Sequence, residues 1–260
     1  MMGTFLFKHT IFGPVSSRRL GRSLGINVLP ANRKICNFNC IYCECGWTEN
    51  TDPEQMSYPD AGNIIDALKA RLTELKASAS EPDAITFAGN GEPTLHPDFS
   101  TLVYQTIQLR NEWAPQAQVA VLTNGTLIYL DHVFHALNAV DQNIIKLDSG
   151  IQDTIRLINQ PRRDFDLRRF TEDLKKFDNR YMIQTLFFRG LYHGKAIDNT
   201  SPEEIKAWLQ IIDEVRPEEV MLYSFHRATP ERGLERIPEN ELNSIAIKVN
   251  QLGIKTRVTP

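Results

Sequence analysis

The chain has 260 residues, a formal net charge of −3 and 42% hydrophobic residues, a composition typical of a globular protein with a sizeable core. No run approaches the ~20 apolar residues that a membrane helix needs, and the N-terminus has no apolar stretch as long as that of a signal peptide. We therefore expect a cytoplasmic protein without a membrane partner. The weakly acidic balance also predicts no general attraction to nucleic acid.

The first 35 residues form a basic segment that ends in a predicted strand at 24–29. Residues 1–50 carry six Lys or Arg against two Glu. Three of these cations, Arg18, Arg19 and Arg22, lie close together just before the strand. Such a run is usually a solvated basic loop, but it also suits an anionic partner.

All four cysteines lie within the loop CNFNCIYCECG at 36–46. In the cytosol such a cluster favours metal binding or redox chemistry over disulfides. Cys36, Cys40 and Cys43 have the spacing C-x3-C-x2-C, which can hold three irons of a [4Fe–4S] cluster and leaves the fourth iron open, whereas an electron-transfer cluster takes four Cys. A zinc site and a redox C-x2-C are the alternatives. Cys45 lies too close to Cys43 for comfortable tetrahedral chelation, so we expect it to be a bystander.

A second motif, AGNGEPTL at 88–95, ends the next β-rich run and opens a loop before a helix. Gly89 and Gly91 would allow a ligand to approach the backbone closely, and Pro93 would stiffen the loop. Backbone carbonyls and the carboxylate of Glu92 can accept hydrogen bonds from an ammonium group. A plain turn between a strand and a helix is the alternative, because Gly and Pro are common in such turns.

Short β-rich runs alternate with helical patterns along the chain. The runs are 24–29, 84–89, 119–125, 143–150, 182–190 and 220–227. Strands separated by helices indicate a parallel sheet, and six of them predict an α/β fold, a partial (βα)6 barrel of the TIM type, with a doubly wound sheet as the alternative. We expect one domain over 1–260, in which the cluster-binding loop at 36–46 covers the C-terminal mouth and 47–260 supplies the remaining βα units.

The helical patterns carry recognisable ends and faces. Ile65 is expected on the buried face of the first helix with three leucines. Ser201 is a predicted N-cap, with Glu204 in the capping-box position, and Gly253 is expected to stop the last helix.

Polar residues end the later strands and are expected at the same mouth. Asn124 ends the third predicted strand. Lys146 and Asp148 lie two residues apart in the fourth. A structural salt bridge or turn cap explains the last two equally well. Weaker candidates, each with an ordinary structural alternative, are Gln184, Arg189, Ser224, His226 and Arg227.

The cysteine spacing, with Tyr42 just before the last cysteine, resembles the radical S-adenosylmethionine (SAM) superfamily. The resemblance implies that SAM chelates the open iron of a [4Fe–4S] cluster and is cleaved to a 5′-deoxyadenosyl radical, which abstracts hydrogen from the substrate. The motif at 88–95 is similar to the GGEP-like motif that binds the amino group of SAM, with Asn90 replacing a glycine. The SAM-binding residues so implied are Tyr42, Gly89, Asn90, Gly91, Glu92, Pro93, Asn124, Lys146 and Asp148; the metal ligands are Cys36, Cys40 and Cys43.

The segment at 13–46 resembles the wyosine-synthase-like branch, which shares a G-P-V-x-S-R-R-L-G-x-S-L-G opening. The resemblance implies an RNA nucleoside as substrate, an electron donor such as flavodoxin or ferredoxin, and arginines near the mouth that contact RNA phosphate, an anionic substrate, or the cluster and SAM carboxylate. A peptide maturase or an activase of glycyl-radical enzymes is the alternative, and a non-catalytic iron–sulfur or zinc-binding protein is the alternative of another class. The chain departs from the branch because it has no N-terminal cysteines for a second cluster.

Overall fold

The computed structural model describes residues 5–48 and 56–259, so residues 1–4, 49–55 and 260 of the predicted domain lie outside the described residues. The strands are β1 (Ile11–Ser17), β2 (Gly21–Ile26), β3 (Ala84–Phe87), β4 (Gln118–Thr123), β5 (Gln142–Lys146), β6 (Met182–Leu186), β7 (Phe188–Tyr192), β8 (Lys195–Asp198), β9 (Glu219–Tyr223), β10 (Leu234–Arg236) and β11 (Lys255–Thr259). The helices are α1 (Ala61–Ala77), α2 (Phe99–Trp113), α3 (Asp131–Ala139), α4 (Gln152–Ile158), α5 (Leu167–Lys175), α6 (Pro202–Val215) and α7 (Glu239–Gln251), with a short 3-10 helix at Pro93–Leu95.

Eight strands form one curled sheet in the order β1-β2-β3-β4-β5-β6-β9-β11. All neighbours from β2 to β11 are parallel, and only β1 pairs antiparallel with β2. Each of the six predicted strands is present in the parallel part, so the predicted partial α/β barrel is confirmed. No helix in the described ranges is long and apolar enough to cross a membrane.

Five strands of the described residues were not predicted as they occur: β1, β7, β8, β10 and β11. β1 and β11 extend the sheet at its two edges, although neither has a strong apolar run. The predicted strand at 182–190 is divided, because β6 ends at Leu186 and β7 turns into a separate antiparallel sheet with β8 and β10. The sequence MIQTLFF, which is apolar except for Gln184 and Thr185, carries no signal for that division.

Two predictions about helices also need correction. In α1 the buried residue is Ile64, whereas Ile65 is only partly buried against the core. Ser201 caps α6 as predicted, but the carboxylate of Glu204 does not complete a capping box. Glu204 instead accepts a hydrogen bond from Ser149 Oγ at 2.6 Å and another from Thr154, because both hydroxyls reach it from the β5–α4 region.

The two faces of the sheet differ in what covers them. The helices pack on the outer face and share a large apolar core with it. The inner face carries a smaller cluster, to which five neighbouring parallel strands contribute one residue each and the β1–β2 turn contributes Leu20. We call the space bounded by this face the lumen. The strand residues of its apolar floor are Ala84, Ala120, Ile144, Met182 and Met221.

Candidate functional site

The cysteine loop, residues 36–46, is joined to the 88–95 loop by backbone hydrogen bonds. Ile35 N donates to Asn90 O at 2.9 Å, and Glu92 N donates to Ile35 O at 3.0 Å. Ile35 and Gly91 form an isolated parallel bridge. Gly91 has φ +137°, and a Cβ there would lie 1.8 Å from Ile35 O. Glycine is therefore required by this close approach, which brings the two predicted motifs side by side.

The other side of the cysteine loop rests on the C-terminal end of α4. Asn39 N donates to Asn159 O at 2.9 Å and Ile41 N donates to Ile158 O at 3.0 Å. Phe38 and Ile41 are buried in a second apolar cluster with residues of α4, β6 and β7. The loop is thus fixed by packing as well as by hydrogen bonds, and it lies at the C-terminal ends of the strands.

Each of the three predicted ligand cysteines has a polar neighbour. Cys36 Sγ accepts from Phe38 N at 3.4 Å and is approached by Asn124 Nδ2 at 3.8 Å. Cys40 Sγ accepts from Asn159 Nδ2 at 3.4 Å. Burial raises the pKa of both thiols, that of Cys36 to about 12. These thiols are therefore protonated in the absence of a metal and would release protons when one binds.

Cys43 differs from the other two ligand candidates. A hydrogen bond from the Cys45 thiol, helped by the charge of Lys34, lowers the pKa of Cys43 to about 5. The same hydrogen bond, together with burial, raises the pKa of Cys45. Cys45 Sγ also lies 3.4 Å from Gly89 O, so its single S–H has two alternative acceptors, Cys43 and this carbonyl. Cys45 consequently sits between Cys43 and the 88–95 loop.

Lys34 is a cation buried beside the thiols, and it was not singled out from the sequence. It is 4% exposed, its Nζ donates to Gly46 O at 2.8 Å, and it hydrogen-bonds Cys43. Burial lowers the pKa of Lys34, but the negative charge that deprotonated cysteines place beside it, Cys43 foremost, outweighs this and holds the pKa above its ordinary value. A buried cation needs negative charge nearby, and the cysteines are where that charge would be.

The thiols do not surround a single point. Within residues 5–48 and 56–259, no three His, Cys, Asp or Glu side chains are placed to hold one metal ion. A structural zinc ion takes four ligands around one centre, and the described residues show no such arrangement.

Tyr42 belongs to a buried network rather than pointing into open space. Its hydroxyl donates to Asp148 Oδ2 and accepts from Asn159 Nδ2 at 2.8 Å and from Lys146 Nζ at 3.1 Å. Burial, reinforced by the charge of Asp148, raises the pKa of Tyr42. Asp148 Oδ1 accepts from Leu186 N at 3.0 Å. Both carboxylate oxygens of Asp148 thus have protein partners. These contacts are those expected of a structural residue that forms a salt bridge or caps a turn.

Lys146 joins this network from the lumen side. Its Nζ lies 3.4 Å from Asp148 Oδ2 and 5.1 Å from the centre of the Tyr42 ring. Burial lowers the pKa of Lys146, but the Asp148 carboxylate more than offsets this and raises it. The Lys146 side chain keeps 20% of its exposure, so it is the member of the network that a bound molecule can reach.

Glu92 fixes the geometry between two loops. Its Oε1 accepts from Thr94 Oγ1 at 2.6 Å and Thr123 Oγ1 at 2.7 Å, and its Oε2 accepts from Asn124 N at 2.6 Å. Burial raises the pKa of Glu92, and these hydrogen bonds oppose that rise. The Glu92 carboxylate already accepts hydrogen bonds from these donors, and Glu92 is only 2% exposed. Its contacts therefore show it positioning Asn124 rather than offering an acceptor to a ligand.

Asn124 and Asn90 are likewise held by protein contacts. Asn124 Nδ2 donates to Asn37 Oδ1 at 2.6 Å, which places it against the cysteine loop. The Asn90 side chain accepts from Phe7 N at 2.8 Å and donates to the carbonyls of Phe7 and Pro30, both at 2.9 Å. Asn90 therefore ties the N-terminal segment to the 88–95 loop, and its side chain has no polar group left for a ligand.

Three of the weaker candidates, Arg189, Ser224 and His226, lie outside this assembly, whereas Arg227 contacts it. Arg189 lies in the small sheet, where it pairs with Glu241 and donates to Thr200. Ser224 is bonded to Phe187 O and Ile237 N, as a structural residue would be. His226 is exposed, and Arg227 pairs with Glu44 of the cysteine loop.

The three N-terminal arginines do not act as one group. Arg22 begins β2 at the end opposite the mouth, where its guanidinium donates to Ser80 O and its backbone to Asp83. Arg19 reaches the lumen, with its guanidinium 4.8 Å from the centre of the Tyr223 ring.

Asn159 is a member of the site that the sequence did not indicate. It contacts Cys40, Tyr42 and Asp148 at once. It comes from a helix end that lies more than a hundred residues after the cysteine loop in the chain.

The comparisons with known proteins agree with this geometry. Residues 34–193 match the family profile described as the Radical SAM superfamily. A Brachyspira hyodysenteriae protein named GTPase Obg is 35% identical over 89% of this chain, and the chain spans only 32% of that protein. A UPF0026 protein of Methanocaldococcus jannaschii is 29% identical over 95% of this chain and 73% of its own length.

Solved structures share the fold at low identity. A structure of TYW1 with a bound lysine-pyruvate adduct has a TM-score of 0.58 and 16% identity, over 88% of this chain and 73% of that one. Streptococcus suis SuiB bound to S-adenosylmethionine has a TM-score of 0.62 and 14% identity, over 88% of this chain and 49% of that one. At such identities the likeness is one of fold.

Proposed function

This chain belongs to the radical SAM superfamily, and from that premise we propose that it is an enzyme in which Cys36, Cys40 and Cys43 hold the family's [4Fe–4S] cluster and the 88–95 loop holds SAM. When bound, the reduced cluster supplies one electron that cleaves SAM to a 5′-deoxyadenosyl radical, which takes hydrogen from the substrate. The observation that carries the proposal is the backbone bridge between Ile35 and Gly91, which sets the two motifs side by side.

The residues present fit such a cluster. Three thiols of one loop lie at the mouth of the barrel, Lys34 supplies a buried positive charge, and Asn159 and Asn124 direct amide groups at Cys40 and Cys36. Hydrogen bonds to cluster sulfurs and nearby charge are the means by which proteins adjust cluster potentials. Cys45 stays outside the proposed ligand set, as a hydrogen-bond donor to Cys43.

On the SAM side, the backbone of the 88–95 loop offers the acceptor. Gly89 O faces the cysteine loop, where the Sγ atom of Cys45 lies 3.4 Å from it. We assign this carbonyl to the amino group of SAM, since an ammonium is a stronger donor than a thiol. Lys146 and Tyr42 border the same space from the lumen, and the Lys146 ammonium is suited to an oxygen of the ribose or carboxylate. Asn90, Glu92, Pro93, Asn124 and Asp148 are proposed to hold the loops in place around SAM.

Anaerobic reconstitution tests the reaction directly. The purified protein is loaded with iron and sulfide, then mixed with SAM and a reductant such as dithionite, and 5′-deoxyadenosine is measured by chromatography. We expect its formation to depend on both iron and reductant. A protein with about four irons and four sulfides per chain that makes none would contradict the proposal, and stoichiometric zinc without sulfide would favour the binding-protein alternative.

For the substrate, the surface favours a small molecule or peptide over RNA. The net charge is −3, and the Arg22 guanidinium already donates to Ser80 O at the end away from the mouth. The RNA nucleoside implied by the wyosine-like opening is tested with tRNA over a salt series, because phosphate contacts weaken steeply with salt. We expect no salt-sensitive tRNA binding in the holoprotein.

Flavodoxin or ferredoxin is proposed as the electron donor, and the cytoplasm is proposed as the location of the protein.

Lys34→Met should shift the reduction potential of the cluster to a more negative value. The substitution keeps the length of the side chain and removes the buried positive charge, which stabilises the reduced, more negative cluster. The potential is measured by a redox titration followed by electron paramagnetic resonance, with iron and sulfide counted in the same samples. Lys69→Met, at an exposed position of α1, is the matched control and should leave the potential unchanged. An unchanged potential in fully loaded Lys34→Met protein would show that Lys34 acts only through packing.

A further inference from the structure

The lumen contains a guanidinium that has no counter-charge among the described residues. Arg19 is half-buried as a whole, but its Nη1 is fully buried and has no hydrogen-bond partner within 5–48 and 56–259. The only contact recorded for its guanidinium, among the residues that the structure describes, is the face of the Tyr223 ring at 4.8 Å. Burying even one N–H group of a cation costs free energy unless an anion or a hydrogen-bond acceptor compensates it. The ring supplies only part of that compensation.

The position of Arg19 is fixed by its backbone. Arg257 Nη1 donates to Arg19 O at 2.6 Å, while its other guanidinium nitrogens bind both carboxylate oxygens of Glu219, at 2.7 and 2.9 Å. Arg257 and Glu219 are thus paired with each other. Leu20, the next residue, is packed into the apolar floor of the lumen. The Arg19 side chain therefore enters the lumen from a turn held on both sides.

Gln184 provides a second group without a partner. It lies on β6 two residues after Met182, so it shares the inner face with that floor residue. Gln184 is 8% exposed, and its amide has no hydrogen-bond partner within the described ranges. It pairs with Met221, two residues before Tyr223 on β9, so the amide lies diagonally beside the ring on which Arg19 stacks.

Among the described residues, Arg19 is the lumen cation that lacks a carboxylate partner. Lys146 is paired with Asp148 and Arg257 with Glu219, whereas no carboxylate of the described ranges pairs with Arg19. The single positive charge of a guanidinium balances the single negative charge of a carboxylate. The guanidinium and one amide together also supply donors for both carboxylate oxygens. A phosphate dianion would need more cations than remain. We propose that the lumen binds the carboxylate of the substrate through Arg19, with Gln184 as a second donor, so that the substrate is a small carboxylic acid or a residue bearing one.

This inference rests on the proposed function, because the lumen is where a substrate would meet the radical. The carboxylate could also be that of SAM. Arg19 lies on the turn that precedes β2, away from the 88–95 loop, and Lys146 is the cation next to Tyr42 and the cysteine loop. These positions assign Lys146 to SAM and Arg19 to the substrate.

The test is a nuclear magnetic resonance titration of the cluster-loaded, SAM-bound protein with carbon-13-labelled acetate as the carboxylate probe. Arg19→Met and Gln184→Leu are compared with Arg22→Met, a control on the same hairpin. We expect saturable acetate binding that Arg19→Met weakens at least about tenfold (~1.4 kcal/mol) and Gln184→Leu by less. The affinity for SAM, measured separately, and the iron content should change less than about twofold in all three variants.

Each other result overturns a defined part of the inference. Equal acetate binding by wild type and Arg19→Met, or no acetate binding by the wild type, removes Arg19 as a carboxylate site. A matching loss of SAM affinity in Arg19→Met assigns the guanidinium to SAM. Inorganic phosphate that binds more tightly than acetate, and only when Arg19 is present, points to a phosphorylated substrate or RNA. Acetate binding in a protein that makes no 5′-deoxyadenosine would instead contradict the proposed reaction and leave the anion site standing.

Discussion

Cys36→Ala, Cys40→Ala and Cys43→Ala are each expected to reduce 5′-deoxyadenosine formation to the background of cluster-free protein. Each substitution removes one of three proposed thiolate ligands, and we expect no replacement by Cys45, because its S–H is directed to Cys43 or to Gly89 O. Reconstituted variants should hold much less iron and sulfide than the wild type. The measurement combines iron and sulfide counts with the assay for 5′-deoxyadenosine.

Cys45→Ala is the matched control within the same loop. It removes a thiol that lies beside the proposed ligand Cys43, so a general sensitivity of the loop to the loss of a thiol would appear in this variant too. We expect wild-type iron content and continued SAM cleavage, with a change in potential because the hydrogen bond to Cys43 is gone. Loss of iron in Cys45→Ala would place four thiols around the metal and support the non-catalytic alternative.

Gly91→Ala should be among the most damaging single-methyl additions in the protein. The added Cβ would lie 1.8 Å from the carbonyl oxygen of Ile35, and the φ of +137° is strained for any residue with a side chain. Backbone cannot yield as a flexible side chain does, so we expect a loss of about 3–5 kcal/mol in the free energy of unfolding. Chemical denaturation followed by circular dichroism measures it.

Gly194→Ala separates the clash from the backbone strain. Gly194 also has a positive φ, +75°, but a Cβ there would meet no atom within 4 Å. Its substitution should cost only about 1 kcal/mol. Similar losses in the two variants would mean that the contact between the cysteine loop and the 88–95 loop is looser in solution than the bridge implies.

The features that could be predicted from the sequence are those encoded locally. The C-x3-C-x2-C spacing, the glycines of the 88–95 loop and the alternation of β-rich and helical segments each lie within a short stretch of chain. They were sufficient for the partial barrel and for the expectation that Cys36 and Gly91 approach the same mouth. The bridge next to Cys36, between Ile35 and Gly91, gives that expectation a structural basis.

The features that could not be predicted depend on contacts between distant residues. Asn159 reaches Cys40 from a helix end, and no local pattern distinguishes it from other surface asparagines. In the sequence, Lys34 is not distinguished from the other cations of the basic segment. Only its burial in the structure sets it apart. Glu92 and Asp148 look like free acceptors, yet the fold supplies each with donors from several elements. Which polar groups remain available is decided by tertiary packing, which residue type and spacing do not specify.

The hydrogen bonds that join Ile35 to Asn90 and Glu92 have a thermodynamic consequence. A ligand that orders the cysteine loop also orders the 88–95 loop, so the second ligand loses less conformational entropy when it binds. The cluster should therefore strengthen SAM binding, and SAM should strengthen cluster binding by the same factor. Chelators should therefore extract iron more slowly when SAM is present, and SAM should dissociate more readily from protein stripped of iron. Sensitivity to air in the living cell would then follow the supply of SAM as much as the supply of iron.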